Sequence, residues 1–310
     1  MIPVAERART TGREPGDRRG RLPRSRAWPY LVPLLFGLAV WVYGPLLFTG
    51  VLSVLDWDLV AADAGFAGTA NYARLVTEPE FPAAVARTGL YVAGLLPFAT
   101  VVPILLAIML WKRPGRASEM YRALLVLPIM LAPVATAVAW QFILNPLQGV
   151  VNAVLGGLGL PRLNWLGDPG TALPVIVLVT AAKVVSLNTL LFGAALAGLD
   201  RRGVEAARVD GATEWEVTRF VLVPQLLPTA ALLGALCVVL ASQWVFTNVA
   251  VLTQGGPDGA TDNVYYRLYT YGFTFFDVGT ASAGAVVIVA ALGLIFAGRA
   301  ALARRRDAAV

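Results

Sequence analysis

The chain has 310 residues, of which 57% are hydrophobic and only 14% charged, whereas soluble domains carry about a quarter charged residues. The balance points to a lipid bilayer. Twenty-five Lys and Arg against nineteen Asp and Glu give a formal charge of +6, but the bases are split among the gaps between apolar runs, which argues against a nucleic-acid partner. The absence of histidine removes the commonest general base and metal ligand. The single cysteine, Cys237, sits in an apolar run and offers neither a disulfide framework nor a Cys-based metal cluster.

In chain order, residues 1–27 hold eight arginines with Gly, Pro and Thr and no apolar periodicity, and read as a disordered tail. The apolar run that follows is too long for a signal-peptide core and has no small-residue cleavage site, so it is expected to remain as a first span. A hydrocarbon core needs about 20 apolar residues per helix. Six segments meet that length, at 28–55, 85–111, 123–144, 172–196, 226–252 and 278–303. Pro97, Pro103, Pro128 and Pro133 fall inside them, as transmembrane helices tolerate. The expected fold is an all-α membrane protein with six transmembrane helices. It comprises a first helix and outer loop over 28–84, a five-helix core over 85–303 and a basic tail over 304–310.

Lys and Arg alternate across the gaps. The tail has its eight; Lys112, Arg113, Arg116 and Arg122 follow the second span; Arg201, Arg202, Arg208 and Arg219 follow the fourth; Arg299, Arg304, Arg305 and Arg306 close the chain. The alternate gaps hold only Arg74, Arg87, Arg162 and Arg267. By the positive-inside tendency both termini are cytoplasmic. The outer segments are rich in turn residues, and the last, 253–277, combines TQGGP with several Tyr and Phe. Those aromatics serve as interfacial anchors or as ligand contacts.

Lys183 is the one formal charge deep in a span, where burial without partners or water is costly. It serves a water-filled cavity, snorkels, or bonds carbonyls of a neighbouring helix. No acid accompanies it, so a carboxylate proton relay is not indicated. Gln141, Asn145, Ser186, Asn188, Gln243 and Asn248, with Trp140 and Trp244, lie in or near spans three to five. Amides and aromatic faces suit a hydroxyl-rich ligand, and helix-to-helix hydrogen bonds use the same residue types. Gln141, Lys183, Asn188, Gln243, Trp244 and Asn248 are the candidate pathway residues.

The gap between spans four and five, EAARVDGATEWEVTRFVLVP over 205–224, is the most charged segment of the second half. Asp200 is placed to cap a helix starting at Arg201. That helix carries Glu205, Ala206, Ala207 and Asp210 and stops at Gly211, suited to a left-handed C′ position. Thr213 and Glu216 form a T-x-x-E capping box for a second short helix, and Pro224 marks the approach to span five. Two exposed alanines would let a partner come close. Asp210, Glu214 and Glu216 would oppose anionic lipid, so the segment reads as a protein-docking knob.

These residues resemble the cytoplasmic signature of transmembrane subunits of binding-protein-dependent ABC importers: EAA, three residues, Gly, nine residues, then I-x-L-P. Here they are Glu205-Ala206-Ala207, Gly211, Val221, Val223 and Pro224, with aliphatic swaps at two positions. FAGTANYARLVTEPEF, RALLVLPIMLAPVATAVAWQFI, NWLGDP, LAGLDRRGVEAARVDGAT and VLTQGGPDGAT are similar to landmarks of the carbohydrate-type, maltose- and glycerol-phosphate-like group. Asp200-Arg201-Arg202 departs from the Gln-x-Ile-Pro-like approach many members have. The resemblance implies a type-I importer permease (MetI-like) fold whose loop over 198–224 docks on a cytoplasmic ATPase through Glu205, Ala206, Ala207, Asp210 and Gly211.

It also implies a second homologous permease subunit, two ATPase subunits and an extracellular or periplasmic solute-binding protein, in a bacterial plasma membrane. Thr253, Gly255, Gly256 and Pro257 are the candidate docking residues for that binding protein. The chain has no G-x-x-x-x-G-K-[ST] P-loop, so ATP and Mg are expected on the partner ATPase, with no catalytic residue, metal or cofactor in this chain. The alternative is an ion-gradient-driven secondary transporter of small polar solutes, which would call for inverted repeats or intramembrane acids. An intramembrane enzyme and an assembly scaffold are the other readings. Residues alone do not name the solute; the resemblance implies a sugar or related polyhydroxylated molecule.

Overall fold

The computed structural model describes residues 28–58 and 64–307. The expected Arg-rich tail over 1–27 and the end of the basic tail, 308–310, lie outside the described residues. The chain divides into two compact units, Met1–Phe48 and Thr49–Val310. The first holds α1 (Trp28–Leu38), which passes through a π-helical turn, Ala39–Tyr43, into α2 (Gly44–Leu52), whose last four residues belong to the second. A proline ring inside a helix meets the carbonyl four residues earlier. The wider π turn ahead of Pro45 accommodates it at Trp41.

The second unit opens with β1 (Leu55–Asp56), antiparallel to β2 (Gly65–Phe66), and α3 (Ala70–Thr77). Buried Asn71 donates to the Ser53 carbonyl at 3.0 Å and the Leu55 carbonyl at 2.8 Å. α3 packs on the last helix, so the outer segment belongs with the core. Next come α4 (Glu80–Ala99) and α5 (Val101–Lys112), joined at Thr100 with φ −125° and ψ −71°.

The third span is not the single helix expected over 123–144. α6 (Arg116–Met130) starts earlier and meets α7 (Pro133–Ile143) at 97°. Leu131 and Ala132 are extended, with ψ of 135° and 131°, as steric conflict with a following proline favours at Ala132. Pro97 and Pro128, by contrast, stay inside helices.

After α8 (Val150–Gly157), α9 (Pro169–Ala197) carries apolar residues on every side, with a few buried polar ones among them, and packs against α4, α5, α6 and the long helix α12. A helix hydrophobic all round belongs at the centre of a bundle. Leu95 and Ala99 of α4, Ile176 and Val184 of α9, and Val245 and Val249 of α12 form the core there. α10 (Arg202–Val209) and α11 (Glu214–Glu216) follow.

α11 does not end as a separate short helix. It runs through a π-helical turn, Val217–Leu222, into α12 (Val223–Leu252), again just ahead of a proline, Pro224. α13 (Val264–Tyr269), a third π turn, Thr270–Thr274, and α14 (Val278–Asp307) complete the chain. α14 continues four residues past the expected end of span six at 303. Among the described residues, five helical stretches are long and apolar enough to cross a membrane, and the bent α6–α7 pair makes a sixth if it is one span.

Candidate functional site

At the end of the bundle where α5 and α9 finish, the 205–224 segment forms a braced knob. The Asp200 carboxylate accepts the Arg202 N–H at 3.0 Å, one residue inside the expected helix start. α10 closes with Asp210 N–H bonded to Ala206 O at 2.9 Å and Ala212 N–H to Ala207 O at 3.0 Å. The latter is the six-to-one bond of a Schellman cap. Gly211 has φ +84°, and the capping box forms: Thr213 N–H donates to Glu216 Oε2 at 2.7 Å and Glu216 N–H to Thr213 Oγ1 at 3.3 Å.

The knob is tied down from two directions. Below it, Val204, Val217 and Leu222 are buried with Phe192 and Leu196 of α9 and Ile108 of α5. Beside it, Lys112 at the end of α5 lies 2.7 Å from Glu214 Oε2 and donates to the Glu214 carbonyl at 2.9 Å. Arg208 Nε reaches Glu214 Oε1 at 2.9 Å. Each exposed pair is worth about 0–1 kcal/mol, so the apolar floor anchors the knob and the charges set its orientation.

Glu205, Ala206, Asp210 and Gly211 are exposed, but Ala207 is half-buried against the floor. The expectation of two free alanines therefore holds for one. The solvent face adds two residues that sequence reasoning passed over, Val209 at 88% and Trp215 at 66% exposure. Their signal was available, since both are large apolar groups within a charged segment.

The candidate pathway residues separate into two sets. Lys183, Asn188 and Asn248 are buried and engaged. Lys183 Nζ donates to Leu131 O at 2.8 Å, at the α6–α7 break, and Asn188 Nδ2 to Ala99 O at 2.7 Å, beside the α4–α5 joint. Asn248 Nδ2 donates to Thr180 Oγ1 at 2.8 Å. Pro103 has no N–H to offer the Ala99 carbonyl four residues back, so Asn188 supplies the missing donor. α9 thereby clamps three neighbours through polar side chains.

Gln141 and Gln243 are exposed, with no side-chain hydrogen bond among the described residues, and Trp244 is half-buried. Gln141 opens onto a cleft of about 420 Å³ shared with Asn145, Leu166, Thr253, Gly256 and Pro257. The structure thus brings one candidate pathway residue to the loop proposed for docking.

That loop is built at the opposite end of α4 from the knob. Thr261 Oγ1 donates to Gly256 O at 2.6 Å and pairs with Thr253 Oγ1 at 2.7 Å, while Tyr91 OH donates to Thr261 O at 3.0 Å. Gly255, with φ +82°, is buried, and a Cβ there would meet Tyr266 Cε1 at 2.9 Å. Thr253, Gly256 and Pro257 are half-buried; the exposed tips are Gln254 and Asp258. Asp262 beneath them is paired with Arg267 (Nε to Oδ2, 2.8 Å). Burial pushes its carboxyl up, against the downward pull of Arg267 and Arg87. Nearby, Asn152 ties down its own segment by donating to Pro146 O and Leu163 O and accepting from Trp165 Nε1 at 3.0 Å. Among the described residues, no group of three or more His, Cys, Asp or Glu could hold a metal.

A multi-span helical bundle with a braced helical knob at one end and a structured loop at the other is the architecture of a multi-pass membrane protein. The family model described as "Binding-protein-dependent transport system inner membrane component" matches residues 81–307, and the chain belongs to that family. It is therefore a permease component of an ABC importer, not an enzyme. An sn-glycerol-3-phosphate transport system permease, UgpA, of Yersinia enterocolitica is 32% identical over 270 residues, covering 86% of this chain and 90% of that one. A probable ABC transporter permease of Pyrococcus horikoshii is 29% identical over 266 residues, 84% of this chain and 90% of its own length. In fold, the chain is similar to one from the crystal structure of a bacterial ABC transporter involved in the import of the acidic polysaccharide alginate. The TM-score is 0.77 at 22% identity, covering 91% of this chain and 96% of that chain.

Proposed function

We propose that the chain forms half of the translocation pathway for a sugar or related polyhydroxylated solute in a bacterial plasma membrane, driven by ATP hydrolysed in trans. The observation that carries this reading is the α10–Gly211–α11 knob, an exposed helix and turn held by a buried apolar floor. Glu205, Ala206, Asp210 and Gly211, with the flanking Val209 and Trp215, offer a close-approach surface, a charge pattern and an aromatic anchor of the kind that dominates protein interfaces. Ala207 supports it from below. The distribution of Lys and Arg puts this knob and both termini in the cytoplasm, where two ATPase subunits would seat on this chain and on a second, homologous permease. ATP and Mg belong to those ATPases, and this chain needs no cofactor.

The 253–257 loop then faces outward, with Gln254 and Asp258 exposed to a solute-binding protein and Thr253, Gly255, Gly256 and Pro257 as its frame. Motion passes from knob to bundle because Lys112 and the apolar floor join α10 to α5, α9 and α12. Gln141, Gln243 and Trp244 are the side chains left available to a hydroxyl-rich solute. Lys183, Asn188 and Asn248 serve the pathway by holding its walls. The glycerol-phosphate permease relative and the alginate transporter neighbour support the polyhydroxylated class.

Reconstitution of the complex with its ATPase and binding protein tests the proposal. Solute uptake is expected to require ATP on the knob side and to survive ionophores. Uptake that persists with an ion gradient and no nucleotide would establish the secondary-transport reading instead.

A further inference from the structure

At the end of α5 the two walls of a groove of about 540 Å³ diverge, within the ~300–1,000 Å³ of small-molecule sites. Leu106, Met109 and Leu110 line one wall, spaced i, i+3 and i+4 along one face of α5, and Arg113, the residue that ends the helix, stands at its mouth. Tyr121 and Leu124 of α6 stand on the other. The floor is pinned where Ser118 Oγ donates to Leu110 O at 3.0 Å. From Arg113 to Leu106 the groove runs about 10 Å along α5 at 1.5 Å per residue. It starts just past the end of the Glu80–Lys112 span, at headgroup level, and descends into the hydrocarbon zone.

Its polarity is graded. Arg113 at the mouth is exposed and forms no ion pair among the described residues, while its neighbour Lys112 is taken by Glu214. Deeper in, Met109 and Leu124 are 62% and 51% exposed and present apolar side chains. A cationic mouth over an apolar slot at the membrane boundary matches an amphiphile with an anionic head. Basic pockets between transmembrane helices bind anionic lipid headgroups on this principle.

We infer that the α5–α6 groove is a binding site for an anionic phospholipid, its phosphate at Arg113 and one acyl chain along Leu106, Met109 and Leu124. A protein segment would have to match the same gradient inside the bilayer, where a bulk lipid already does. The inference requires only that α5 ends at a membrane surface, and is independent of what the protein transports.

The test reconstitutes the full complex in phosphatidylethanolamine vesicles doped with phosphatidylglycerol or phosphatidylcholine, each carrying a photoactivatable acyl chain, and maps labelled peptides. Phosphatidylglycerol is expected to label the 106–125 region in preference to phosphatidylcholine. Arg113→Gln is expected to cut that labelling about fivefold. Ala117→Trp, which fills the groove and leaves the charge, is expected to remove it. Inorganic phosphate in excess should not compete, because the acyl chain supplies much of the binding. Equal labelling by both lipids, Arg113→Gln without effect, or displacement by inorganic phosphate would each overturn the inference. So would a cysteine at Met109 that crosslinks to the paired permease, which would mean that protein fills the groove.

Discussion

Replacing Gly211 with valine is expected to leave the membrane bundle folded and to abolish ATP-coupled solute uptake. Gly211 sits at φ +84°, and a Cβ there would meet nothing within 4 Å, so the penalty is conformational rather than a clash. A β-branched residue held in the left-handed region costs on the order of 1–3 kcal/mol. That exceeds what any one exposed ion pair at Glu214 returns, at about 0–1 kcal/mol. The turn is therefore expected to relax by releasing the Ala212-to-Ala207 hydrogen bond and swinging Thr213 and Trp215 away from α10. The bundle core lies elsewhere, in α4, α9 and α12, and should melt within a few degrees of the parent. Gly211→Asn is the matched control, because asparagine tolerates the left-handed region. Comparing ATP hydrolysis with uptake reads the effect: valine should give hydrolysis without transport, and asparagine should keep both. Normal coupled uptake by the valine variant would remove the turn from the mechanism.

Asn188→Leu is expected to destabilise the complex by about 1–2 kcal/mol, near the upper range for hydrogen bonds between membrane helices. The substitution leaves the Ala99 carbonyl buried without a donor, and an orphaned buried acceptor costs about 1–3 kcal/mol. A double-mutant cycle isolates the cause. Pro103→Ala restores an N–H four residues after Ala99, so Asn188→Leu should cost clearly less in that background. Thermal unfolding of the detergent-purified complex measures all four corners. Additive losses would mean that Asn188 acts through packing and not through the carbonyl that proline leaves open.

How much of this was legible in the sequence depended on the range of the interaction. The capping box at Thr213 and Glu216 and the left-handed Gly211 were legible because each is satisfied within a few residues. The apolar spans were legible because hydrocarbon length sets them. The break at Pro133 was not, since Pro97 and Pro128 stay within helices in the same chain; what differs is tertiary. Leu131 O finds Lys183, 52 residues away, and Ala99 O finds Asn188, 89 residues away. Sequence reasoning could pose helix packing against ligand contact for these side chains but had no view of carbonyls freed on other helices. The same limit applied to Ala207 and Gly255. Small size suggested a close-approach surface at Ala207 and the family resemblance a docking position at Gly255, whereas Ala207 packs on the knob's floor and Gly255 makes room for Tyr266.

The central claim is that the 202–216 knob, and not the opposite end of the bundle, meets the ATPase. A cysteine introduced at Ala206 in a Cys237→Ser background, labelled with a photoreactive maleimide in the assembled complex, tests it most directly. A covalent adduct with the ATPase subunit is expected from Ala206→Cys and none from Asp258→Cys. An ATPase adduct from Asp258→Cys, or none from Ala206→Cys in a complex that still hydrolyses ATP and imports solute, would contradict it.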